Sequence, residues 1–116
     1  MKSHLGRLTK DKEFDLVFKK GKSSYNNIIG IKCLAVGENS SGETRLGILV
    51  SNKVSKKAVE RNKIRRRIRE SFRLQVETVQ PGHDFVVIAL PEALKKEYKD
   101  IDSAIAFNLR RLRVKK

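Results

Sequence analysis

The sequence predicts an α+β fold: a two-layer α/β sandwich in which three helices pack on a mostly antiparallel sheet. The chain has 116 residues, of which 39% are hydrophobic, and this is enough for one modest core. Helical and strand-like patterns alternate in the order helix, strands, helix, strand, helix, which favours the packing of helices against a sheet. No internal repeat and no long linker divides the chain. We therefore expect a single domain over residues 1–116.

The first helix is predicted in LTKDKEFDLVFKKG, residues 8–21. Thr9 or Asp11 can cap its start, Gly21 can end it, and an i, i+3, i+4 apolar stripe is formed by Phe14, Val17 and Phe18. Two phenylalanines at this spacing usually pack in a core. One ring can also present an edge or face to a nucleic-acid base, because base–aromatic stacking contributes about 1–3 kcal/mol per base.

The remaining elements follow in order along the chain. NIIGIKCLAVG and ETRLGILVS predict two strands that form an antiparallel hairpin around the turn-rich GENSSG. Residues 56–75 contain no Gly or Pro and predict one long helix. PGHDFVVIAL predicts a turn and a buried strand. The last segment predicts a loop and a helix whose apolar stripe is formed by Ile101, Ile105, Leu109 and Leu112.

The charge of the chain is strongly positive and unevenly distributed. Twenty-seven Lys and Arg residues against 13 Asp and Glu residues give a net charge of +14. Residues 52–73 contain ten of these cations and two acids, which makes +8, and the C-terminal RRLRVKK adds five more cations. Such an excess favours a polyanionic partner, and nucleic acid is the default candidate.

Membrane association and export are disfavoured by the sequence. No apolar run approaches the ~20 residues of a membrane span, and MKSHLGRLTK lacks the apolar region of a signal peptide. No segment combines a basic face with a broad apolar face. The sequence therefore predicts a cytoplasmic protein with no membrane contact, in which Cys33 is a buried structural thiol.

The long helix has two different polar flanks. Ile64, Ile68 and Phe72 make a narrow apolar stripe, and on one side of it lies an arc without acids, formed by Asn62, Arg65, Arg66, Arg69 and Arg73. The other flank places Glu60 near Lys63 and Arg67 near Glu70, so that both can pair. Because neighbouring arginines repel one another, the acid-free arc indicates an anion-binding face. Asn62 adds a neutral group that either contacts RNA or serves as a polar filler.

Groups for catalysis by the protein itself are scarce. His4 and His83 are the only histidines, and no His/Cys spacing fits a metal site. Asp11, Glu13 and Asp15 lie at a helix start, where acids usually serve as caps and solubility groups. The residues therefore give little support to a protein that cleaves nucleic acid by itself. A protein that binds structured RNA without cleaving it is a stronger alternative.

One long segment, LGILVSNKVSKKAVERNKIRRRIRESFR, closely resembles the signature of the bacterial ribonuclease P protein component. In the family pattern a strand ends in a Val-Ser-x-Lys turn and is followed by a basic helix that contains Arg-Asn. The matching residues are Val50, Ser51, Lys53, Ala58, Val59, Arg61, Asn62, Arg65, Arg66 and Arg69. Phe14 and Phe18 match two phenylalanines of the family's first helix. A generic RNA-binding module need not combine these features.

The resemblance implies a small α/β sandwich (ribosomal protein S5 domain 2-like) with a left-handed crossover through the long helix. It implies that the protein binds a large catalytic RNA, which carries the catalytic site together with magnesium. The complex would hydrolyse one phosphodiester bond of precursor tRNA and so remove the 5′ leader. We expect one protein per RNA.

The resemblance also assigns contact residues to two surfaces. A cleft between the first helix and the sheet would take the single-stranded leader, with contacts from Phe14, Phe18 and Lys32. Family members often have an aromatic residue where Lys32 stands, so we expect a more electrostatic contact there. The turn and the long helix would meet the RNA subunit through Lys53, Lys56, Lys57, Arg61, Asn62, Lys63, Arg65, Arg66 and Arg69.

Overall fold

The computed structural model describes residues 5–36 and 43–116. This part of the chain forms the helices α1 (Asp11–Lys20), α2 (Ala58–Gln75) and α3 (Tyr98–Arg111), and the strands β1 (Leu5–Arg7), β2 (Lys22–Tyr25), β3 (Ile29–Ala35), β4 (Thr44–Leu49) and β5 (His83–Ala89). The three predicted helices and three predicted strands are confirmed, whereas β1 and β2 were not predicted. The predicted loop GENSSG lies outside the described residues. Within the described ranges, no helix combines the length and apolar character needed to cross a bilayer.

The sheet is mixed, with the strand order β1-β4-β5-β3-β2. β3 runs antiparallel to β2 and β5, and β4 runs parallel to β1 and β5. The predicted hairpin of the third and fourth strands is therefore wrong, because Val87 of β5 pairs with Ile31 on one side and with Ile48 on the other. The reason is the connection through α2, which returns the chain so that β5 enters between β3 and β4. The sheet is accordingly not mostly antiparallel.

The main core lies on one face of the sheet, beneath α2 and α3. The predicted stripe of α2 is buried there, with Ile64, Ile68 and Phe72 at most 2% exposed. The α3 stripe, predicted to include Ile101 and Leu112, is buried as well. Both stripes pack against alternate residues of the central strands, and the rings of Phe72 and Phe85 meet edge-on with their centroids 5.0 Å apart.

The opposite face of the sheet is covered only in part, by α1. Val17 packs there with Leu8 and Val86, and the half-buried Phe14 lies at the margin of this small cluster. The prediction of two layers therefore holds for the sheet with α2 and α3. It is wrong for α1, which forms a further layer on the other face of the sheet. The alternation of side chains along β5 explains the arrangement, since Phe85 and Val87 face the main core while Val86 faces α1.

A network of ionised side chains attaches the start of α1 to the sheet. Arg45 on β4 donates two hydrogen bonds to Asp84 on β5, at 2.8 and 2.7 Å, and pairs with Glu13 of α1. Glu13 also accepts the backbone N–H groups of Thr9 and Lys10. The helix is thus capped by Glu13 at Lys10, and the predicted caps Thr9 and Asp11 are wrong. Gly21 ends the helix as predicted, with its N–H donated to the carbonyl of Val17.

The same network sets the ionisation of its members. Burial alone would raise the pKa of Glu13, but the backbone hydrogen bonds from Lys10 and Thr9, together with Arg45, lower it below its ordinary value of 4.5. Hydrogen bonds to Asp84 raise the pKa of Arg45. Glu13 and Arg45 therefore remain ionised at neutral pH. Burial also raises the pKa of the Cys33 thiol, and the predicted burial of this residue is confirmed.

Candidate nucleic-acid interface

The turn that precedes α2 is held together by its own hydrogen bonds. The hydroxyl of Ser55 accepts the N–H of Lys57 at 3.1 Å and donates to the carboxylate of Glu60. Arg61 donates from Nη1 to the carbonyl of Ser55 at 3.0 Å, so this arginine fixes the turn from the first turn of the helix. Glu60, which was predicted to pair with Lys63, instead serves this turn. The ordered turn exposes three of the predicted cations, Lys53, Lys56 and Lys57.

The arginines of α2 differ in what they contact. Arg65 donates from Nη1 to Oδ1 of Asn62 at 2.8 Å, so the asparagine orients this guanidinium with a neutral acceptor. Arg67 donates to the carbonyl of Lys96 at 2.8 Å and ties α2 to the segment before α3. The predicted pair of Arg67 and Glu70 is therefore wrong.

The acid-free arc on α2 is shorter than predicted. Glu70 pairs with Arg73 at 2.8 Å, and Arg73 lowers the pKa of this carboxylate. Arg73 is thus compensated by an acid and leaves the predicted arc. The basic arc of α2, as we use the term below, consists of Asn62, Arg65, Arg66 and Arg69.

Two members of the basic arc line a groove that also contains an aromatic ring. Arg65, Arg69 and Phe14 line a groove of about 270 Å³ together with residues of β1 and β4. Gly47 lies directly beneath the Phe14 ring, since a Cβ atom at this position would be 2.5 Å from two ring atoms. β1 pairs with β4 only as far as Leu46, so the groove opens where the edge of β4 continues alone. We call this the edge groove.

A second cluster lies at the other end of α1. The ammonium of Lys32 on β3 is 5.5 Å from the centroid of the Phe18 ring and 5.8 Å from that of Tyr25. Phe18 and Tyr25 are 40% and 42% exposed, so both rings offer free surface around a cation. We call these three residues the ring cluster. The Tyr25 ring covers Gly30, where a Cβ atom would be 2.1 Å from it.

Tyr25 was not predicted as a contact residue. Its strand, β2, has four residues, pairs with β3 and is connected to it by a turn that contains Asn26 and Asn27. The signal that could have identified this strand is Tyr25, a residue type enriched in strands, followed directly by two asparagines, which favour a turn.

The two aromatic sites are arranged along one helix. Phe14 and Phe18 are four residues apart on the side of α1 that faces the sheet, with the edge groove at one end and the ring cluster at the other. Rings and cations alternate along this line, a pattern suited to a nucleic-acid strand with bases on rings and phosphates on cations. Within residues 5–36 and 43–116, no three His, Cys, Asp or Glu side chains are grouped so as to hold a metal ion.

Comparison with known proteins decides the family. The profile of the family described as Ribonuclease P matches residues 3–113. The chain belongs to the ribonuclease P protein family. It is 43% identical over 99 residues to the ribonuclease P protein component of Clostridioides difficile, a match that covers 84% of this chain and 83% of the relative.

Solved structures of ribonuclease P proteins share the fold. The Staphylococcus aureus protein superimposes with a TM-score of 0.84 at 31% identity, over 95% of this chain and 97% of that one. The Thermotoga maritima protein superimposes with a TM-score of 0.78 at 31% identity, over 90% and 96% of the two chains. The mixed α+β fold is therefore that of ribonuclease P proteins. As a ribonuclease P protein, the chain is a subunit of the endoribonuclease that matures the 5′ end of tRNA.

Proposed function

We propose that this subunit binds the catalytic RNA of ribonuclease P and the single-stranded 5′ leader of precursor tRNA. In this proposal it assists hydrolysis of one phosphodiester bond by the RNA, which gives the mature 5′ end. The observation that carries the proposal is the edge groove, where two guanidinium groups and a phenylalanine ring share one opening. A guanidinium can grip a phosphate with two hydrogen bonds, and a ring can stack on the attached base.

The surface for the RNA subunit consists of the turn before α2 and the outer face of that helix. Within residues 5–36 and 43–116 no ion pair involves the cations of this surface. Arg61 and Arg65 are half-buried, and the other cations are exposed. The proposed contact residues are Lys53, Lys56, Lys57, Arg61, Asn62, Lys63, Arg65, Arg66 and Arg69. Because Asn62 accepts a hydrogen bond from Arg65, its main role is to orient that guanidinium.

The leader is proposed to lie along α1, between the helix and the sheet. Phe14 contacts it in the edge groove, and Phe18 and Lys32 contact it in the ring cluster, to which we add Tyr25. With its ammonium held between two rings, Lys32 can bind a leader phosphate while the exposed ring surfaces take neighbouring bases.

Further features are proposed from the family relationship. Residues 1–116 act as one RNA-binding domain, joined to the RNA one to one in the cytoplasm. Magnesium is assigned to the RNA subunit, as the family resemblance implies. The parallel neighbours β4 and β5 are connected by a crossover through α2. The family resemblance implies that this crossover is left-handed, as in the ribosomal protein S5 domain 2-like sandwich.

The decisive experiment is reconstitution of cleavage. Precursor tRNA is incubated with the RNA alone, with nuclease-free protein alone, and with both, at low and at high magnesium. We expect no cleavage by the protein alone and cleavage by the complex at lower magnesium than the RNA alone requires. Robust cleavage by protein freed of RNA would contradict the proposal.

A second experiment tests the ring cluster. Lys32→Ala should lower the affinity of the assembled complex for precursor tRNA but not for mature tRNA, and the difference should fade at high salt because the contact is to a phosphate. Lys12→Ala is the matched control, because Lys12 is exposed on α1 and its substitution removes the same charge. A loss of equal size in both variants would mean that charge near α1 acts diffusely.

A further inference from the structure

The outer face of α3 carries an exposed aromatic ring that the proposed function does not use. The helix buries Ile101, Ile105 and Leu109 in the main core. On its opposite side an exposed stripe recurs every fourth residue, formed by Lys99, Ser103, Phe107 and Arg111. Phe107 is 40% exposed, so its ring offers free surface for a ligand.

The ring borders a groove with rigid walls. On the α3 side it is lined by Asp100, Ser103, Ala104, Phe107 and Arg110, and on the other side by Asn26 and Ile28 from the β2–β3 turn. Asn26 fixes this turn by accepting the N–H groups of Ile28 and Ile29 at 3.0 and 2.8 Å, and its amide donates to the carbonyl of Ala104 at 3.4 Å. The groove is therefore built before any ligand arrives.

The charge along the groove is mixed: Asp100 lines it near the start of α3, and Arg110 lines it near the end of the helix. Residues 103–116 contain five cations and no acid. The guanidinium of Arg111 lies over the Phe107 ring, 5.6 Å from its centroid. Cations in the last turn of a helix also stabilise its dipole. That effect accounts for Arg110 and Arg111 but gives no reason for an exposed ring beside them.

We propose that Phe107 and Arg110 form a second RNA contact, which binds an unpaired nucleotide of the RNA subunit with its base on the ring and its phosphate on the guanidinium. The ring and the positive charge at the C-terminal end of α3 together complement a stacked base and its phosphate. The inference rests on the proposed function, since it requires the RNA subunit as partner.

The position in the fold selects the RNA subunit over the leader. The proposed leader path follows α1, on the opposite face of the sheet from α3. α3 packs beside α2 in the same layer, with Arg67 of α2 bound to the segment that leads into α3. The groove lies near the β2 edge of the sheet, whereas Arg65 and Arg69 lie near the opposite edge, formed by β1 and β4. A large folded RNA that rests on α2 can reach both edges of this layer.

The test compares variants of the exposed stripe. Phe107→Leu keeps most of the apolar volume but removes the ring, and Arg110→Gln removes the charge. Lys99→Gln is the matched control, because it removes one charge from the same stripe eight residues away, about 12 Å along the helix. Each variant is first shown to melt like the parent protein. Dissociation constants for the full-length RNA subunit are then measured over a series of salt concentrations.

We expect Phe107→Leu to weaken binding of the RNA subunit about 5-fold or more, which corresponds to the loss of one stacked base. Arg110→Gln should make the salt dependence shallower by about 0.7, the value for one phosphate of a single strand. Lys99→Gln should match the parent. The ratio of affinities for precursor and mature tRNA in the assembled complex should stay unchanged in all three.

Several results would overturn the inference. If Phe107→Leu and Arg110→Gln bind the RNA subunit as tightly as Lys99→Gln does, the groove makes no contact with the RNA subunit. A selective loss of precursor tRNA binding would place the substrate there instead. If the parent protein does not prefer the RNA subunit over an unrelated RNA of equal length, the proposed function itself fails, and this result is independent of the variants.

Discussion

The substitution Gly47→Ala tests the geometry of the edge groove most directly. The added Cβ atom would be 2.5 Å from the Cε1 and Cζ atoms of Phe14 and 3.2 Å from the Cβ atom of Leu8. Carbon atoms in favourable contact are about 3.5–4.0 Å apart, so the ring must move by roughly 1 Å or more. Leu8 is buried and leaves little room on the other side. The ring must therefore tilt towards the opening, or α1 must lift from the sheet.

The energetic consequence follows from the burial of the site. Overpacking of this kind costs about 1–3 kcal/mol of unfolding free energy. For a chain of 116 residues each kcal/mol lowers the Tm by roughly 4 °C, so we expect Gly47→Ala to melt about 4–12 °C below the parent. Differential scanning calorimetry at fixed salt measures this directly.

Gly30→Ala provides the matched control. Its Cβ atom would lie even closer to a ring, 2.1 Å from Tyr25, but that ring is 42% exposed and can swing into solvent. The loss of chain entropy in the unfolded state partly offsets the cost, by about 0.4–1 kcal/mol. We therefore expect a Tm within about 3 °C of the parent. Both variants should lower the ratio of affinities for precursor and mature tRNA, because each displaces a ring proposed to contact the leader.

The two measurements separate folding from function. A parental Tm and a parental affinity ratio in Gly47→Ala would show that the Phe14 ring does not lie over Gly47. A lower Tm with an unchanged ratio would assign Phe14 to the core alone and remove it from the leader path.

Three further predictions concern salt, ring contact and pH. Arg69→Ala should make the slope of log affinity for the RNA subunit against log salt shallower by about one. Arg73→Ala should change this slope less, because Glu70 already pairs with that guanidinium. Equal changes in the two variants would contradict the distinction between Arg69 and Arg73. Phe18→Leu should leave affinity for the RNA subunit intact and lower the ratio for precursor over mature tRNA about 5-fold or more, and an unchanged ratio in a folded variant would exclude a leader contact. Since the pKa of Glu13 is lower in the folded protein than its ordinary 4.5, the stability it contributes is present above pH 4.5 and is lost as the pH falls further. Glu13→Gln should remove that part of the acid dependence of the Tm, and an acid profile identical to the parent's would refute the assignment.

Local patterns predicted the helices and the core because these depend on residues close in sequence. The 3.6-residue spacing of Ile64, Ile68 and Phe72 identifies the buried side of α2 without knowledge of what covers it. The same holds for the stripe of α3. The strand order could not be predicted in this way, because the place of β5 between β3 and β4 depends on the path of α2 across the sheet. Hydrophobic strands such as β4 and β5 pair equally well in several orders.

The site was predicted by residue type but not in its arrangement. The helical wheel placed Arg65 and Arg69 on one flank, yet their meeting with Phe14 depends on how far β1 extends along β4. The pairing of Glu70 with Arg73 rather than Arg67 depends on side-chain orientation, since both arginines lie three residues from the glutamate. Arg67 is drawn away by a backbone carbonyl of a distant segment, which no local pattern could indicate.

The division of charge in the molecule connects its architecture to its proposed surfaces. Apolar packing alone fixes α1 weakly, because Val17 is its one buried residue. The ionic network of Glu13, Arg45 and Asp84 adds the second attachment, and the buried carboxylate of Asp84 requires the guanidinium of Arg45 beside it. This attachment sets the height of α1 above the sheet, and hence the position of Phe14 over Gly47. Glu13 and Asp84 are thus engaged in holding the fold together. The guanidinium of Arg65, by contrast, donates to the neutral amide of Asn62. A protein of net charge +14 can tolerate such an uncompensated arc because the binding of phosphates removes the repulsion.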